Sequence, residues 1–237
     1  MPVIEVKNLV KNYGTIEAVK GISFSVNKGE IFGLIGPNGA GKTTTLRIIS
    51  TLLTITSGSI NIYNFDLDSK PGEIRKIISY LPEDAGAYKN LTGKKYLEFI
   101  ANFYDPSKTK DMVSRGVEIA DLGHRINDKV DTYSKGMKRR LLVGRALMTE
   151  PKLAILDEPT SGLDVNNAQE IRRLIKKTAK EGTTILLSSH NMLEVEFLCD
   201  RIALISKGII VEEGDPKNLM NKYDAKNIED VFTTVVK

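Results

Sequence analysis

Over the first 30 residues apolar and polar positions alternate, broken by turn residues at Asn12-Tyr13-Gly14 and Asn27-Lys28-Gly29, and this pattern predicts antiparallel strands. A further strand pair is predicted around residues 58–63. Residues 30–35 form a short apolar run suited to a buried strand, and from Lys42 onward Thr45, Leu46, Ile48, Ile49 and Leu52 read as a helix. Between residues 91 and about 123 the period becomes helical, with Leu97, Ile100, Phe103 and Tyr104 marking one face and Met112, Val113, Gly116, Val117 and Ala120 another. Apolar strands and helices then alternate: a strand at 153–156, a helix at 165–180, a strand at 183–189 and a helix through Met192, Val195 and Leu198. Short helical stretches at 218–223 and 227–234 close the chain. Apolar strands separated by helices predict a parallel sheet covered on both faces, in which ligands sit at the carboxyl ends of the strands. The fold class is α/β: a parallel-sheet core with an N-terminal antiparallel β-subdomain and an inserted α-helical subdomain.

Between the predicted strand at 30–35 and the helix at Lys42 stands Gly36-Pro37-Asn38-Gly39-Ala40-Gly41-Lys42-Thr43, the G-x-x-x-x-G-K-[ST] spacing of a P-loop. A chance match is expected in on the order of one chain in a hundred, and the strand, loop and helix follow in the required order. Gly36, Gly39 and Gly41 let the backbone turn back and aim its N–H groups inward, where side chains would collide with phosphate oxygens. The following helix adds the positive end of its dipole. Lys42 reaches the β and γ phosphates of a nucleotide as a point charge, and the Thr43 hydroxyl is one ligand of an octahedral Mg²⁺, with Thr44 supporting the cluster. The core is therefore expected to be a RecA-like P-loop NTPase sheet.

Four apolar residues lead into Asp157-Glu158-Pro159. Two adjacent carboxylates at the end of a buried strand are costly unless something offsets them, and Mg²⁺ with a water substrate does so. Asp157 is then the metal-binding acid of P-loop NTPases. Pro159 biases Glu158 toward an extended conformation that sends its side chain elsewhere than Asp157, freeing it as general base for the attacking water. The bland alternative, a solvated loop acid, is disfavoured by the P-loop upstream. His190 closes the strand at 183–189, so topology brings it to the same edge, where it can hold transition-state oxygens or orient Glu158 and water. His124 lies in a polar loop and has no special role.

Ser134 reads as the cap of a helix whose first turns hold Lys135, Lys138, Arg139 and Arg140, although helix dipoles favour acids there. An arriving anion relieves that conflict, and Gly136 leaves room for close backbone approach. A solvated basic helix start is the plainer reading of this stretch alone.

Size and charge narrow the picture. With 237 residues, 41% of them hydrophobic, the chain can bury one substantial core. Its 34 basic against 30 acidic residues are a mild, dispersed excess, so no nucleic-acid partner is expected. Cys199 is the only cysteine, which fits a reducing compartment and a small buried hydrophobe. No basic-then-apolar leader opens the sequence, and apolar runs such as 153–156 and 202–205 fall far short of the roughly 20 residues that a membrane helix needs. The expected location is cytoplasmic, with any membrane role exercised through a partner.

Taken together, these residues resemble the ATP-binding subunit of an ABC transporter over nearly the whole chain. The family's motifs occur in order: Tyr13 as the aromatic that stacks on adenine, Gly36 to Thr43, Glu83 in the Q-loop, Ser134-Lys135-Gly136-Met137 as the signature, Asp157-Glu158, Ser161-Gly162-Leu163-Asp164 as the D-loop, and His190 as the switch histidine. Two departures stand out. Tyr133, Lys135 and Met137 replace the Leu, first Gly and Gln of the usual L-S-G-G-Q, while Ser134 and Gly136, which contact the γ-phosphate in the family, remain. Glu83 replaces the Q-loop glutamine, and its carboxylate can still accept from Mg²⁺-bound water. Both variants resemble the ABC-2 type exporter branch.

The resemblance implies ATP and Mg²⁺ as cofactors, with Thr43, Glu83 and Asp157 at the metal. It implies an ATP-bound pair in which Ser134 and Gly136 of a second subunit, identical or a sibling, cover the nucleotide. It also implies a membrane permease received by a groove beside the helical insertion. The corresponding organisation is a nucleotide-binding core at 1–83 and 150–215, a helical subdomain at 84–149 and a short tail at 216–237. A soluble ABC-type switch without a permease and a P-loop kinase are the alternatives. The first usually carries long coiled coils or two cassettes, and the second leaves the motifs at Ser134 and Ser161 unexplained.

Overall fold

The computed structural model describes residues 2–236, and of Glu194 the backbone only. The alternating N-terminal segments form a hairpin of β1 (Pro2–Tyr13) and β2 (Ile16–Asn27). The second strand pair is β4 (Ser57–Ile62) with the two-residue β5 (Phe65–Asp66), and it completes an antiparallel sheet in the order β2-β1-β4-β5.

The solid apolar runs become β3 (Ile31–Ile35), β7 (Leu153–Asp157) and β8 (Thr184–Ser189), every residue of which is buried. They are the interior of a second sheet, ordered β10-β9-β3-β8-β7-β6, which also holds β6 (Ile78–Leu81), β9 (Arg201–Ser206) and β10 (Ile209–Gly214). All its pairings are parallel except that of the edge strand β10. Side chains alternate between its two faces as the two-residue period requires. Leu153, Ile155 and Leu186 enter a core shared with the antiparallel sheet and α1 (Lys42–Ile49), whereas Ala154, Leu156, Ile185 and Leu187 enter the core under the helices that follow.

Past the short α2 (Pro71–Arg75), three helices pack together: α3 (Gly93–Tyr104), α4 (Thr109–Ala120) and α5 (Lys135–Leu147). Gly144 of α5 lets that helix approach α4 closely, since a Cβ there would lie 2.6 Å from the Gly116 carbonyl oxygen. The inward face of α3 is Tyr96, Leu97 and Ala101. Phe103 and Tyr104, expected beside Leu97, are instead 74% and 56% exposed. Phe103 stacks edge-on against Phe99, which stacks in turn on Tyr88, so these rings cluster with one another at the surface.

The remaining helices are α6 (Val165–Lys180), α7 (Met192–Leu198), α8 (Pro216–Lys222) and α9 (Ile228–Val236). Cys199 is buried beside β3, and burial pushes its thiol pKa far above the ordinary range, as suits an inert packing residue. Among the described residues no helix is long and apolar enough to cross a membrane.

One turn ties the two sheets to the glycine loop. Between β9 and β10, Gly208 donates its N–H to the Ala40 carbonyl (3.1 Å) and accepts from the Lys20 N–H of β2 (2.8 Å).

Candidate active site

The central sheet aligns the carboxyl ends of three neighbouring strands, with Ile35 opposite Ser189 and Asp157 opposite Ser188. The glycine loop, the acid pair and His190 therefore leave the sheet side by side. A cleft of about 150 Å³ opens there, lined by Ala18, residues 38–44, Glu83 and Glu158. Asn38, Gly39, Ala40, Gly41, Lys42, Thr43 and Thr44 thus lie together as the P-loop spacing predicts, with Glu83, expected there from the resemblance, beside them.

The loop's conformation is imposed by its surroundings. The Gly36 N–H donates to the Ser189 carbonyl (3.2 Å), and a Cβ on Gly36 would lie 2.1 Å from the Ile205 carbonyl oxygen. Gly41 has φ +104°, and its Cβ would lie 2.7 Å from the Ala18 carbonyl oxygen. At these two positions protein backbone, rather than phosphate, already demands glycine. Lys42 donates to the carbonyls of Gly36 (2.7 Å) and Pro37 (3.1 Å), and its ammonium stands 3.3 Å from Glu158 Oε1.

Asp157 is buried at the end of β7. Its Oδ1 accepts from Ser188 Oγ (2.6 Å) and Thr43 Oγ1 (3.2 Å), and its Oδ2 from the Tyr80 hydroxyl (3.3 Å). Burial, reinforced by the Asp157 charge, pushes the Tyr80 phenol up to about 12, so it remains a donor.

Glu158 departs from the extended conformation expected before a proline: its φ is +48°, in the left-handed region. Tertiary contacts override the local bias. The Glu158 N–H donates to Ser188 Oγ (3.0 Å), its carbonyl accepts from Arg139, and its carboxylate turns inward. Oε2 lies 2.8 Å from His190 Nδ1 and accepts from the His190 N–H (3.2 Å). Oε1, buried against Lys42, has no hydrogen-bond partner among the described residues. His190 is 45% exposed and so faces both Glu158 and solvent.

The cationic helix start is also corrected. Ser134 caps α5 by accepting from the Met137 N–H (3.2 Å), but two of the four cations do not await an anion. Arg140 pairs with Glu170 (3.0 Å) and donates to the Asp121 carbonyl (3.0 Å). Arg139 is 7% exposed and points into the protein, toward the carbonyls that follow β6 and β7. Burial lowers its pKa while the charges of Glu83, Asp157 and Glu158 oppose that shift. The room beside Gly136 is taken up by Asn167, whose Oδ1 would lie 2.1 Å from a Cβ there. Tyr133, in place of the signature leucine, is buried and donates to the Arg125 carbonyl (2.7 Å).

Ser134 and Gly136 do not line the cleft, and neither does Tyr13, whose ring lies against Lys11 at the β1–β2 turn. Glu83 lines it, and its Oε1 accepts from Ser161 Oγ (3.3 Å). Asp164 caps α6 through the Asn167 N–H (3.0 Å), and those hydrogen bonds from Asn167 lower its pKa. Ser188, Tyr80 and Arg139 are site residues that sequence reasoning missed. Ser188 carried a signal, since with Ser189 it is a buried polar pair that follows the apolar Ile185-Leu186-Leu187 and leads into His190, whereas Tyr80 carried none.

The family model described as ABC transporter matches residues 19–161. The linearmycin resistance ATP-binding protein LnrL of Bacillus subtilis is 38% identical over 227 residues, covering 95% of this chain and 73% of that protein. The bacitracin transport ATP-binding protein BcrA of Bacillus licheniformis is 39% identical over 228 residues, covering 96% and 74%. Among solved structures, an ATP-binding subunit of an ABC transporter matches with a TM-score of 0.86 at 28% identity, covering 99% of this chain and 100% of that one. A dimeric post-hydrolysis state of the ATP-binding cassette MJ0796 bound to ADP and Pi matches with a TM-score of 0.79 at 26% identity, covering 90% and 98%. With a P-loop, an acid pair and a histidine meeting at one sheet edge and relatives of this kind along nearly its full length, the chain belongs to the ABC transporter family as an ATP-binding, ATP-hydrolysing subunit.

Proposed function

We propose that the protein hydrolyses Mg²⁺-bound ATP in the cleft above β3, β7 and β8, with Glu158 as general base, and closes around ATP as a pair that drives a separate membrane permease of the exporter type. The observation that carries this reading is the Glu158 carboxylate, buried between Lys42 and His190 at the cleft wall. Its Oε1 has no hydrogen bond, and once Lys42 leaves it for the phosphates it is the oxygen that would accept a proton from water. His190 holds the other oxygen and keeps the carboxylate oriented. Lys42, now on its own loop's carbonyls, is the cation that phosphate oxygens compete for.

The donor set suits Mg²⁺. Thr43 Oγ1 and Asp157 Oδ1 are hard oxygen ligands already 3.2 Å apart, and Glu83 lines the same cleft. Among the described residues no group of three or more His, Cys, Asp or Glu side chains forms a metal cage, which fits a cation held by one or two carboxylates together with phosphates. When bound, Mg²⁺ neutralises charge on the phosphoryl oxygens.

Tyr13 would stack on adenine, and Ser134 and Gly136 would meet the nucleotide of a second subunit, identical or a sibling. Their position outside the chain's own cleft is consistent with service in trans. Residues 84–149 would act as the helical subdomain between a core of 1–83 and 150–215 and the permease, at the cytoplasmic face of the membrane, with 216–237 as a tail. The exposed aromatic row of Tyr88, Phe99 and Phe103 supports a permease surface there.

Gel filtration of Glu158→Gln with and without Mg-ATP tests the pairing. A shift to twice the monomer mass with ATP is expected, and a species that stays monomeric throughout counts against it.

A further inference from the structure

Arg139 is buried, charged and aimed away from the cleft, and the hydrolytic reading makes no use of it. A desolvated guanidinium is tolerated only where its donors are met. Here Nε donates to the Pro159 carbonyl (2.7 Å), Nη1 to those of Glu83 (3.2 Å) and Pro82 (3.5 Å), and Nη2 to those of Asp157 (3.1 Å) and Glu158. All five acceptors are main-chain oxygens, although the carboxylates of Glu83, Asp157 and Glu158 are close enough to influence the guanidinium's charge.

The acceptors belong to two segments, one leaving β6 and the other leaving β7, adjacent strands that pair Leu81 with Leu156. Arg139 itself sits on α5, which makes a second attachment through Arg145 Nη2 to the Tyr80 carbonyl (3.1 Å). One side chain thus joins the helix capped by Ser134, the segment bearing Glu83 and the segment bearing Glu158.

The placement of the donors matters most at Glu158. A non-glycine residue at φ +48° before a proline is a conformation the chain does not adopt unaided, so outside contacts must hold it. The carbonyls on either side of the Glu158 Cα, those of Asp157 and Glu158, are both fastened by Nη2 of Arg139. Fixing the two flanking peptide planes fixes the direction of the Glu158 side chain, which is toward Lys42 and His190.

We propose that Arg139 is a positioning residue for hydrolysis: by clamping the carbonyls around Glu158 and Glu83 it holds the general base in its left-handed conformation and ties that geometry to helix α5. This rests on the reading of Glu158 as the base. A lysine keeps the charge but presents a tetrahedral ammonium with three donors in place of the planar five, so it cannot hold both segments at once.

The test measures Mg-ATP turnover and ATP affinity for Arg139→Lys and Arg139→Gln, alone and combined with Glu158→Gln, with residual rates taken from single-turnover release of labelled phosphate. In the wild-type background Arg139→Lys is expected to lower kcat by about 10²-fold, the scale of loss for a misplaced catalytic group. The Kd for ATP should stay within about threefold, because Arg139 makes no contact with the P-loop. In the Glu158→Gln background the same substitution should lower the residual rate by less than about threefold, since residues that act as a unit are not additive. Equal losses in the two backgrounds, or a Kd that rises in step with the loss of kcat, would overturn the proposal in favour of a general scaffolding role. Arg139→Gln answers the same question if the lysine variant does not fold. Full turnover in Glu158→Gln alone would overturn the reading of Glu158 as the base beneath the proposal, whereas a crippled Glu158→Gln with equal Arg139→Lys losses in both backgrounds would overturn the proposal alone, so the turnover of the single Glu158→Gln variant distinguishes the two failures.

Discussion

Lys42 Nζ and Glu158 Oε1 face each other at 3.3 Å, and each side chain is only 5% exposed. The pair joins the glycine loop after β3 to the acid that follows β7, across the intervening β8, so in the nucleotide-free protein the two halves of the site neutralise one another. ATP binding must exchange this contact for a new one, and the two residues should respond differently to mutation.

Lys42→Ala leaves a buried carboxylate uncompensated and should destabilise the nucleotide-free protein by about 3 kcal/mol. Glu158→Gln keeps shape and acceptor and should cost only about 1 kcal/mol, while lowering kcat by on the order of 10²-fold or more. Denaturant titrations beside steady-state ATPase assays make the comparison; a Lys42→Ala protein as stable as the wild type would show that the ion pair is not what holds these segments together.

Tyr80 supplies a pH dependence. Its folded pKa of about 12 lies above the unfolded value, so its contribution to stability is complete below about pH 10 and is lost as pH rises toward 12, where the unfolded chain ionises first. Tyr80→Phe should flatten the fall in stability across that window and remove one phenol titrating near 12 from the ultraviolet titration curve. An unchanged curve would place the perturbed phenol elsewhere.

Gly136 and Asn167 should be coupled. Asn167 Nδ2 donates to Asp164 Oδ2 at 2.6 Å, so a methyl group at Gly136 cannot move the amide aside without breaking the Asp164 contact. Gly136→Ala is expected to cost about 1–2 kcal/mol, and Asn167→Ala in the same protein to recover part of that loss. Strict additivity in thermal or denaturant melts would contradict the packing.

The aromatic row offers a test of coupling to a permease. Phe103→Ser and Tyr88→Ser alter exposed rings that do not line the P-loop cleft and should leave basal ATPase within about twofold. Transport by cells carrying the cognate permease should fall. Transport that persists unchanged would remove these rings from the docking surface.

Much of this was legible because the informative residues act locally. The P-loop spacing, the acids after an apolar strand and a histidine after another all lie where a parallel sheet gathers its carboxyl ends, and topology needed nothing further to bring Lys42, Asp157, Glu158 and His190 together. The parts that could not be read depend on long-range partners. The backbone of Glu158 follows Ser188 and Arg139 rather than Pro159, and Arg139 looks like one of four surface cations until its acceptors, 18 to 57 residues away, are known. The outward turn of Phe103 has the same origin, since periodicity marks an apolar face without saying how much of it a neighbour covers. Strands β9 and β10, adjacent in sequence and set at one edge, also went unread, although β9 abuts the P-loop at Gly36.

The Gly208 turn, hydrogen-bonded to both Ala40 and Lys20, has a kinetic corollary. A phosphate seat braced by its neighbours before any nucleotide arrives has already met its ordering entropy during folding. Association with ATP should then be quick and accompanied by little loss of backbone freedom, leaving the energy of the encounter for motions elsewhere in the molecule.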